Sequence, residues 1–261
     1  PEGIEVFKKV GAIGDLKELE KLPHSNIGIG HTRWATHGGV TNVNAHPHFS
    51  TDKSFVVAQN GIVENFQKLK EDLLKKGYKF SSQTDTEVIV RLIEEKLKKT
   101  KDLFKAVRLA FLDLEGRNTI IVLPTTGSTI YAVRNGSPLV VGVGEKEVFI
   151  ASDTLSFANF TNRVVYINNY EMVAYNDGKL KMFEVESGTE IKVKEHKIEQ
   201  EDMSIAKEGY DHFMIKEIIE QKHTIREAAQ YTEAEYEPLI KAIKKARHVY
   251  TVGAGTAGFA A

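Results

Sequence analysis

The densest group of chemically capable side chains lies in segment 31–39, which reads His-Thr-Arg-Trp-Ala-Thr-His-Gly-Gly. It carries a guanidinium, an indole, two hydroxyls and two imidazoles, and its two glycines let the backbone lie close to a ligand. The guanidinium of Arg33 is suited to gripping a carboxylate through two parallel hydrogen bonds. An ordinary surface ion pair is the alternative for Arg33, and composition alone leaves both open.

Two amide donors follow the apolar segment 54–58, at Asn60 and Gly61. The side-chain amide of Asn60 and the N–H of a following glycine can point at one oxygen atom, as an oxyanion hole requires. Losing one such donor costs about 3–4 kcal/mol of transition-state stabilisation. A plain Asn-Gly turn explains the same pair, so these residues alone do not establish a function.

Asp85 lies within Thr84-Asp85-Thr86-Glu87, a pattern that predicts the start of a helix. An acidic residue at that position stabilises the helix dipole without any ligand. The functional alternative is that the carboxylate of Asp85 holds an ammonium group.

Five of the nine histidines lie between positions 24 and 48. Four of them, His31, His37, His46 and His48, suggest a metal-dependent hydrolase, but their spacing is irregular and lacks a Glu-x-x-His pattern. Structural histidines are the alternative. A separate glycine-rich segment, 253–256, follows an apolar stretch and resembles a turn that cradles phosphate through backbone N–H groups.

The composition restricts the classes of protein. The 261 residues, 41% of them apolar, predict one or two domains with a sizeable core. With 35 basic and 36 acidic residues, the net charge of −1 argues against binding to nucleic acid or to a membrane surface. No apolar run approaches the ~18 residues of a spanning helix. No targeting segment is recognisable, so a cytoplasmic location is expected. There is no cysteine, which excludes any thiolate site built from this sequence alone.

The elements that would position these residues form two groups. Apolar spacing predicts a helix from about residue 62 that ends near Gly77, a second helix after Thr84 and a third capped by Asp102. Short β-branched segments predict strands at 26–31, 54–58, 119–123, 129–134, 139–143, 148–151, 164–167, 172–175 and 180–185. Asn135-Gly136 and Asp177-Gly178 are typical of hairpin turns. Strands clustered apart from helices predict an α+β fold.

The remaining chain predicts a second domain. Residues 186–209 are charged and weakly periodic, which indicates a linker. Two helical stretches follow, and residues 249–252 are predicted to form a strand that runs into the glycine-rich turn. The expected division is therefore 1–185, a linker at 186–209, and 210–261 as the start of an α/β unit.

Four motifs occur in order at 31–38, 44–48, 60–65 and 84–87. Together they resemble the glutaminase domain of the glutamine–fructose-6-phosphate aminotransferases. Segments 210–221 and 253–256 resemble the beginning of that family's sugar-isomerase (SIS) half. Amidotransferases acting on phosphoribosyl pyrophosphate are similar but usually carry Tyr in place of Trp34. The resemblance implies a class II amidotransferase with a four-layer αββα N-terminal-nucleophile sandwich, then a helical linker and the first strand of an α/β SIS domain.

The resemblance implies a pocket for L-glutamine. Arg33 would bind the α-carboxylate and Asp85 the α-ammonium, with Thr36 and His37 completing the pocket. An exposed ion pair is worth ~0–1 kcal/mol, too little to select a free amino acid. Two opposite charges matched to a zwitterion in a partly desolvated pocket supply several kcal/mol.

It also implies roles around the reacting atoms. Asn60 and Gly61 would form the oxyanion hole, and Trp34 would gate the path of ammonia. Ammonia would then add to D-fructose 6-phosphate, whose phosphate Thr256 would contact, to give D-glucosamine 6-phosphate. A homodimer without cofactor or metal is expected.

The sequence departs from the family at several positions. The family's nucleophile is an N-terminal cysteine, so we expect this sequence to be an internal part of a longer enzyme. Gln59 stands where the family usually has His, Ala254 where it often has Cys, and Ala257-Gly258 differs from the usual continuation. The alternatives are an inactive homologue that senses glutamine or sugar phosphate, or a different class II amidotransferase.

Overall fold

The computed structural model describes residues 3–11, 22–198, 209–253 and 255–260. The chain divides between residues 204 and 205 into two compact units. Among the described residues, no helix is both long and apolar enough to cross a lipid bilayer.

The first unit contains eleven strands in its described residues. In chain order they are β1 (His48–Phe49), β2 (Phe55–Gly61), β3 (Asn118–Pro124), β4 (Ile130–Asn135), β5 (Val140–Val143), β6 (Val148–Ala151), β7 (Arg163–Tyr166), β8 (Glu171–Asn176), β9 (Lys179–Glu184), β10 (Glu190–Ile191) and β11 (His196–Lys197). Seven form one sheet in the order β1-β2-β3-β4-β8-β9-β10, and four form another in the order β11-β7-β5-β6. Neighbouring strands are antiparallel in both sheets.

Side-chain alternation along the strands builds two cores. In β4, Val133 belongs to the core beneath the helices, whereas Ala132 belongs to the core between the two sheets. Met172 and Val173 of β8 divide in the same way. Successive strand residues point to opposite faces, so one strand serves both cores. The predicted α+β sandwich is confirmed.

The small sheet is covered on its outer face by a short segment. Val140 and Val164 face away from the large sheet and pack on Phe157, which is fully buried. Phe157 follows a single 3-10 turn, Thr154–Ser156, capped by the carboxylate of Asp153. Within the described residues, this segment supplies the outermost layer of the sandwich.

Three helices cover the large sheet: α1 (Phe66–Lys75), α2 (Asp85–Thr100) and α3 (Leu103–Leu112). The predicted starts of α2 and α3 and the predicted end of α1 near Gly77 are confirmed, but α1 begins at Phe66 and not near residue 62. Thr84 accepts a hydrogen bond from the N–H of Glu87, and Asp102 accepts one from the N–H of Lys105. Gly77 has a positive φ of 86° just after α1, as a chain reversal at a helix end requires.

The two predicted hairpin turns have different outcomes. Asp177-Gly178 joins β8 to β9 with φ values of 45° and 79°, as in a type I′ turn. Asn135-Gly136 does not form a hairpin, because β4 pairs with β8 and the next strand, β5, lies in the other sheet. The dipeptide reverses the chain locally, but packing decides which strands pair.

Other elements also differ from the prediction. Segment 26–31 has no strand pairing, although exposure alternates along it from Ile27 to His31. Residues 186–198, predicted to begin the linker, instead supply β10 and β11, which pair with β9 and β7. The first unit therefore extends past the predicted boundary at 185.

The second unit contains α4 (Phe213–Ala228), α5 (Glu233–Lys245) and α6 (Thr256–Ala260). A capping box at Thr232 and Glu235 starts α5. Residues 249–252, predicted to be a strand, form none. A strand needs a partner, and the described residues of this unit contain no other strand.

Candidate active site

Strand β2 ends at Asn60 and Gly61, which lie opposite Thr119 and Asn118 of β3. Gly61 has a φ of 136°, and a Cβ at this position would lie 2.0 Å from the carbonyl oxygen of Arg117. Only glycine fits so close to the neighbouring backbone. The side chain of Asn60 is exposed. The two proposed amide donors therefore lie at the end of β2, where the close approach of Gly61 to the Arg117 carbonyl fixes the position of the backbone.

A cavity of about 580 Å³ opens beside Asn60. Its walls come from both sheets and from the unpaired segment 28–32, with Thr119 and Ile121 from β3 and all of β6. This volume lies in the usual range of small-molecule sites. Asn60 thus lines a cavity large enough for a small molecule, but Arg33, His37 and Asp85 are not among the residues that line it.

Asp85 is the first residue of α2 and is 4% exposed. Its Oδ2 accepts a hydrogen bond from the backbone N–H of Val63 at 2.9 Å. The same oxygen lies 3.9 Å from Nδ1 of His37. The carboxylate therefore lies where segment 61–63, the helix start and the segment 31–39 meet.

Arg33 is held by its own loop. Its guanidinium donates hydrogen bonds to the carbonyl of His37, to that of Gly39 at 3.1 Å and to that of Gly38 at 3.4 Å. Asn44 closes the loop, with its Nδ2 donating to the Gly39 carbonyl at 3.0 Å. These contacts direct Arg33 to the backbone of the residue whose imidazole faces Asp85.

His37 links the two charged groups. Its ring packs edge-on against Phe66, with 4.5 Å between ring centroids. Its Nδ1 is buried and has no hydrogen-bond partner within the described part of the chain. The structure thus links Arg33, His37 and Asp85 in one contact series, with Arg33 on the backbone carbonyl of His37 and Asp85 beside its imidazole.

The other predicted residues lie apart from this series. Thr36 is exposed, and Trp34 is 91% exposed. Thr256 is the first residue of α6, but its side chain lies outside the described residues, and so does Ala254.

Two of the clustered histidines, His46 and His48, form hydrogen bonds with residues at the start of α2. Nε2 of His46 lies 2.9 Å from Oγ1 of Thr86, and Nε2 of His48 lies 3.0 Å from Oγ1 of Thr84. Burial lowers the pKa of His46 to about 2 and that of His48 to about 4, so both are neutral near pH 7. In the described ranges, no group of three or more His, Cys, Asp or Glu side chains is arranged to hold a metal ion. The arrangement gives the metal-hydrolase hypothesis no support.

Sequence reasoning missed the supporting role of Glu87. Its buried carboxylate accepts hydrogen bonds from the N–H groups of Ser81 and Ser82, and from Nη2 of Arg91 at 2.7 Å. Burial raises the pKa of Glu87, but the hydrogen bonds from Ser81 and Ser82 outweigh burial and bring the pKa below its usual value. The i, i+4 spacing of an acid and a base on a buried helix face was the available signal.

Comparison with known proteins identifies the family of the first unit. A family model described as a glutamine amidotransferase domain matches residues 20–187, well over half of the chain.

Among curated relatives, the glutamine–fructose-6-phosphate aminotransferase (isomerizing) of Pyrococcus horikoshii is 40% identical over 265 residues, covering 98% of this chain and 44% of the relative. The enzyme of that name from Thermococcus kodakarensis is 42% identical over 232 residues, covering 87% and 38% respectively. This chain therefore spans less than half the length of these relatives.

Among solved structures, the glutamine phosphoribosylpyrophosphate amidotransferase of B. subtilis aligns with a TM-score of 0.52 and 24% identity. The alignment covers 60% of this chain and 34% of that one. This likeness concerns the fold, and it agrees with the two-sheet sandwich described above.

Proposed function

The chain belongs to the glutamine amidotransferase family, and on that premise we propose that it binds L-glutamine as part of an enzyme that makes D-glucosamine 6-phosphate. The co-substrate would be D-fructose 6-phosphate and the second product L-glutamate. The names of the relatives from Pyrococcus and Thermococcus support this assignment.

The contact series from Arg33 through His37 to Asp85 carries the proposal. Arg33 donates to the backbone carbonyl of His37, and the buried carboxylate of Asp85 lies 3.9 Å from Nδ1 of the same residue's imidazole. A free amino acid presents a carboxylate and an ammonium group, so it can satisfy both ends at once. A peptide bond removes at least one of these charges, which would exclude glutamine residues within proteins.

Asn60 and Gly61 would act on the side-chain amide of the bound glutamine. A thiolate adds to the amide carbon, and the negative charge that develops on oxygen is stabilised by these two donors. Collapse of the adduct releases ammonia and leaves a thioester, which water then hydrolyses to glutamate. The attacking cysteine would come from outside this sequence, which has none.

The remaining assignments follow the family. The exposed indole of Trp34 would gate the passage of ammonia, and Thr256 would contact the sugar phosphate. We further propose an SIS half, a homodimer and a cytoplasmic location, with no role for nucleic acid.

Calorimetric titration of the 261-residue chain with three ligands tests the pocket. L-glutamine should bind, whereas N-acetyl-glutamine and glutamine amidated at its α-carboxyl should bind at least tenfold more weakly. Arg33→Ala should abolish glutamine binding. Arg163→Ala is a matched control, because this arginine forms an exposed pair with Glu195. Equal binding of all three ligands would overturn the proposed pocket.

Hydrolysis separates an enzyme from a sensor. The 261-residue chain should not release ammonia from glutamine, whereas a longer polypeptide that includes its cysteine should. If the longer polypeptide binds glutamine without hydrolysing it, the proposed enzyme is wrong and a sensing homologue is favoured. Hydrolysis by the cysteine-free chain would overturn the thiol mechanism.

A further inference from the structure

The side chain of Gln59 forms hydrogen bonds that connect three elements of the fold around the candidate site. Within the described part of the chain, it has no hydrogen bond to any residue proposed to bind glutamine. It is 4% exposed. Its Nε2 donates to Oδ1 of Asn118 at 2.7 Å, and its Oε1 accepts from the hydroxyl of Thr86. Its backbone N–H donates to Nδ1 of His46 at 3.4 Å. One side chain thus connects β2, β3 and α2.

Each of these anchors is next to a residue of the proposed pocket. Gln59 precedes Asn60, and Asn118 is the strand partner of Gly61. Thr86 follows Asp85 in α2. Successive residues of a strand point to opposite faces, so the Gln59 side chain backs the strand on the side away from the Asn60 side chain.

We infer that Gln59 is a positioning residue that fixes Asn60 and Gly61 for oxyanion stabilisation by tying the end of β2 to Asn118 and Thr86. The inference rests on the proposed function. It extends that function, because it assigns a role to a buried side chain that has no hydrogen bond, among the described residues, to those proposed to bind glutamine.

The effect should fall on the chemical step more than on glutamine binding. Asp85 has its own anchor in the N–H of Val63, so its carboxylate stays in place when Gln59 is changed. The oxyanion donors have no equivalent side-chain anchor among the contacts described above. A donor displaced by a fraction of an ångström loses stabilisation of the developing charge, while the charged ends of glutamine still bind.

Replacements of Gln59 can be chosen by which of its two side-chain hydrogen bonds each one keeps. A primary amide offers one donor to Asn118 and one acceptor to Thr86. A neutral imidazole also has one donor and one acceptor, so Gln59→His preserves both bonds. Gln59→Glu keeps the acceptor but puts a carboxylate oxygen against Oδ1 of Asn118. Gln59→Ala removes both bonds.

Steady-state glutamine hydrolysis by the longer, cysteine-containing polypeptide tests the inference. Gln59→Ala and Gln59→Glu should each lower kcat by about 10- to 100-fold, with KM for glutamine within about twofold of the wild type. Gln59→His should recover kcat to within about threefold. The control is Ser50→Ala, which removes a buried hydroxyl that accepts from the N–H of Phe55 at the other end of β2. It should lower Tm and leave kcat unchanged.

The outcomes separate the two proposals. If the wild-type polypeptide hydrolyses no glutamine, the proposed function fails. If it does, and Gln59→Ala retains full kcat, the positioning role is wrong. Should Gln59→Ala not fold, the folded Gln59→Glu and Gln59→His variants decide: equal kcat values for both overturn the inference, and a loss confined to Gln59→Glu supports it.

Discussion

Asp85 and Arg33, the oppositely charged groups of the candidate site, are held by different kinds of structure. Asp85 begins a helix whose first nine residues, 85–93, are all buried. Arg33 lies in a segment without strand pairing, beside the almost fully exposed Trp34. The backbone N–H of Val63, from a separate segment, holds the carboxylate of Asp85. The guanidinium of Arg33 is instead held by carbonyls four to six residues away in its own loop.

Because the two groups are held differently, we expect changes at the start of α2 to affect stability and changes in the Arg33 loop to affect ligand binding. The start of α2 is connected to β2 and to the preceding loop, so changes there should affect folding. The Arg33 loop contributes little buried apolar surface and should tolerate change without unfolding. In the proposed pocket, a substrate carboxylate would compete with these carbonyl groups for the guanidinium of Arg33, so the Arg33 side would be the one that rearranges on binding.

The largest effect should come from Glu87→Gln. The change removes a buried charge that pairs with Arg91 and accepts two backbone N–H groups. Breaking a buried pair costs about 3–5 kcal/mol, and Glu94 remains as a second partner of Arg91. We therefore expect a loss of about 3 kcal/mol in the free energy of unfolding, measured by urea denaturation.

The comparison variant is Arg33→Ala, which should lose less than about 1 kcal/mol because a loop side chain away from the core contributes little to stability. Equal destabilisation by the two changes would mean that the loop is as much a part of the fold as the helix start.

Acid should lower the free energy of unfolding through the two buried histidines that are bonded to the start of α2, His46 and His48. His46 and His48 have pKa values of about 2 and about 4 in the folded protein, below the ordinary value near 6.5. The unfolded chain therefore binds more protons below pH 6.5, and stability falls as the pH falls. The loss approaches about 1.4 kcal/mol per pH unit for each histidine, ending near pH 4 for His48 and near pH 2 for His46.

Urea denaturation between pH 7 and pH 4.5 measures this slope. In His48→Gln, an amide can still bond the Thr84 hydroxyl but does not titrate, so the slope should be shallower. An unchanged slope would show that His48 is not neutral and buried in solution.

Arg33→Lys should weaken glutamine binding by about tenfold, or about 1.4 kcal/mol, with little change in Tm. Lysine keeps the charge but lacks the planar fork that grips a carboxylate through two hydrogen bonds. Calorimetric titration measures the affinity, and a scan of Tm confirms folding. Retention of full affinity would indicate that charge alone, and not the fork, binds the ligand.

The smallest effect on stability should come from Trp34→Ala, because the indole is 91% exposed. We expect a change below about 0.5 kcal/mol and glutamine affinity within twofold of the wild type. In the longer polypeptide, transfer of ammonia to the sugar should fall while glutamine hydrolysis continues. A large drop in Tm would place Trp34 in a packed contact that this structure does not show.

Short sequence patterns predicted correctly those features that depend on neighbouring residues in the chain. Caps at Thr84 and Asp102 and the turn at Asp177-Gly178 depend on atoms within a few residues, so the sequence predicted them. The turn at Asn135-Gly136 failed as a hairpin, since the strand that pairs with β4 is some 40 residues further along the chain. Residues 186–198 were mistaken for linker, because two-residue edge strands carry too little pattern to detect.

The candidate site divides in the same way. Ordered motifs were enough to nominate Arg33, His37, Asp85, Asn60 and Gly61, because their chemical types and order resemble a known family. Gln59 was noticed only as a departure from that family, and its role required knowing which side chains surround it. Its partners, Thr86 and Asn118, lie 27 and 59 residues away in the chain.

Short segments of the sequence were sufficient to predict the α+β class, the starts of α2 and α3 and the groups proposed to bind an amino acid, since periodicity, capping and side-chain chemistry are properties of such segments. The three-dimensional packing was needed to show that His37 contacts both Arg33 and Asp85, that His46 and His48 are neutral and bonded to the start of α2, and that Gln59 braces the end of β2. Those features arise from burial and from contacts between distant segments, which exist only once the two sheets and the helices have packed.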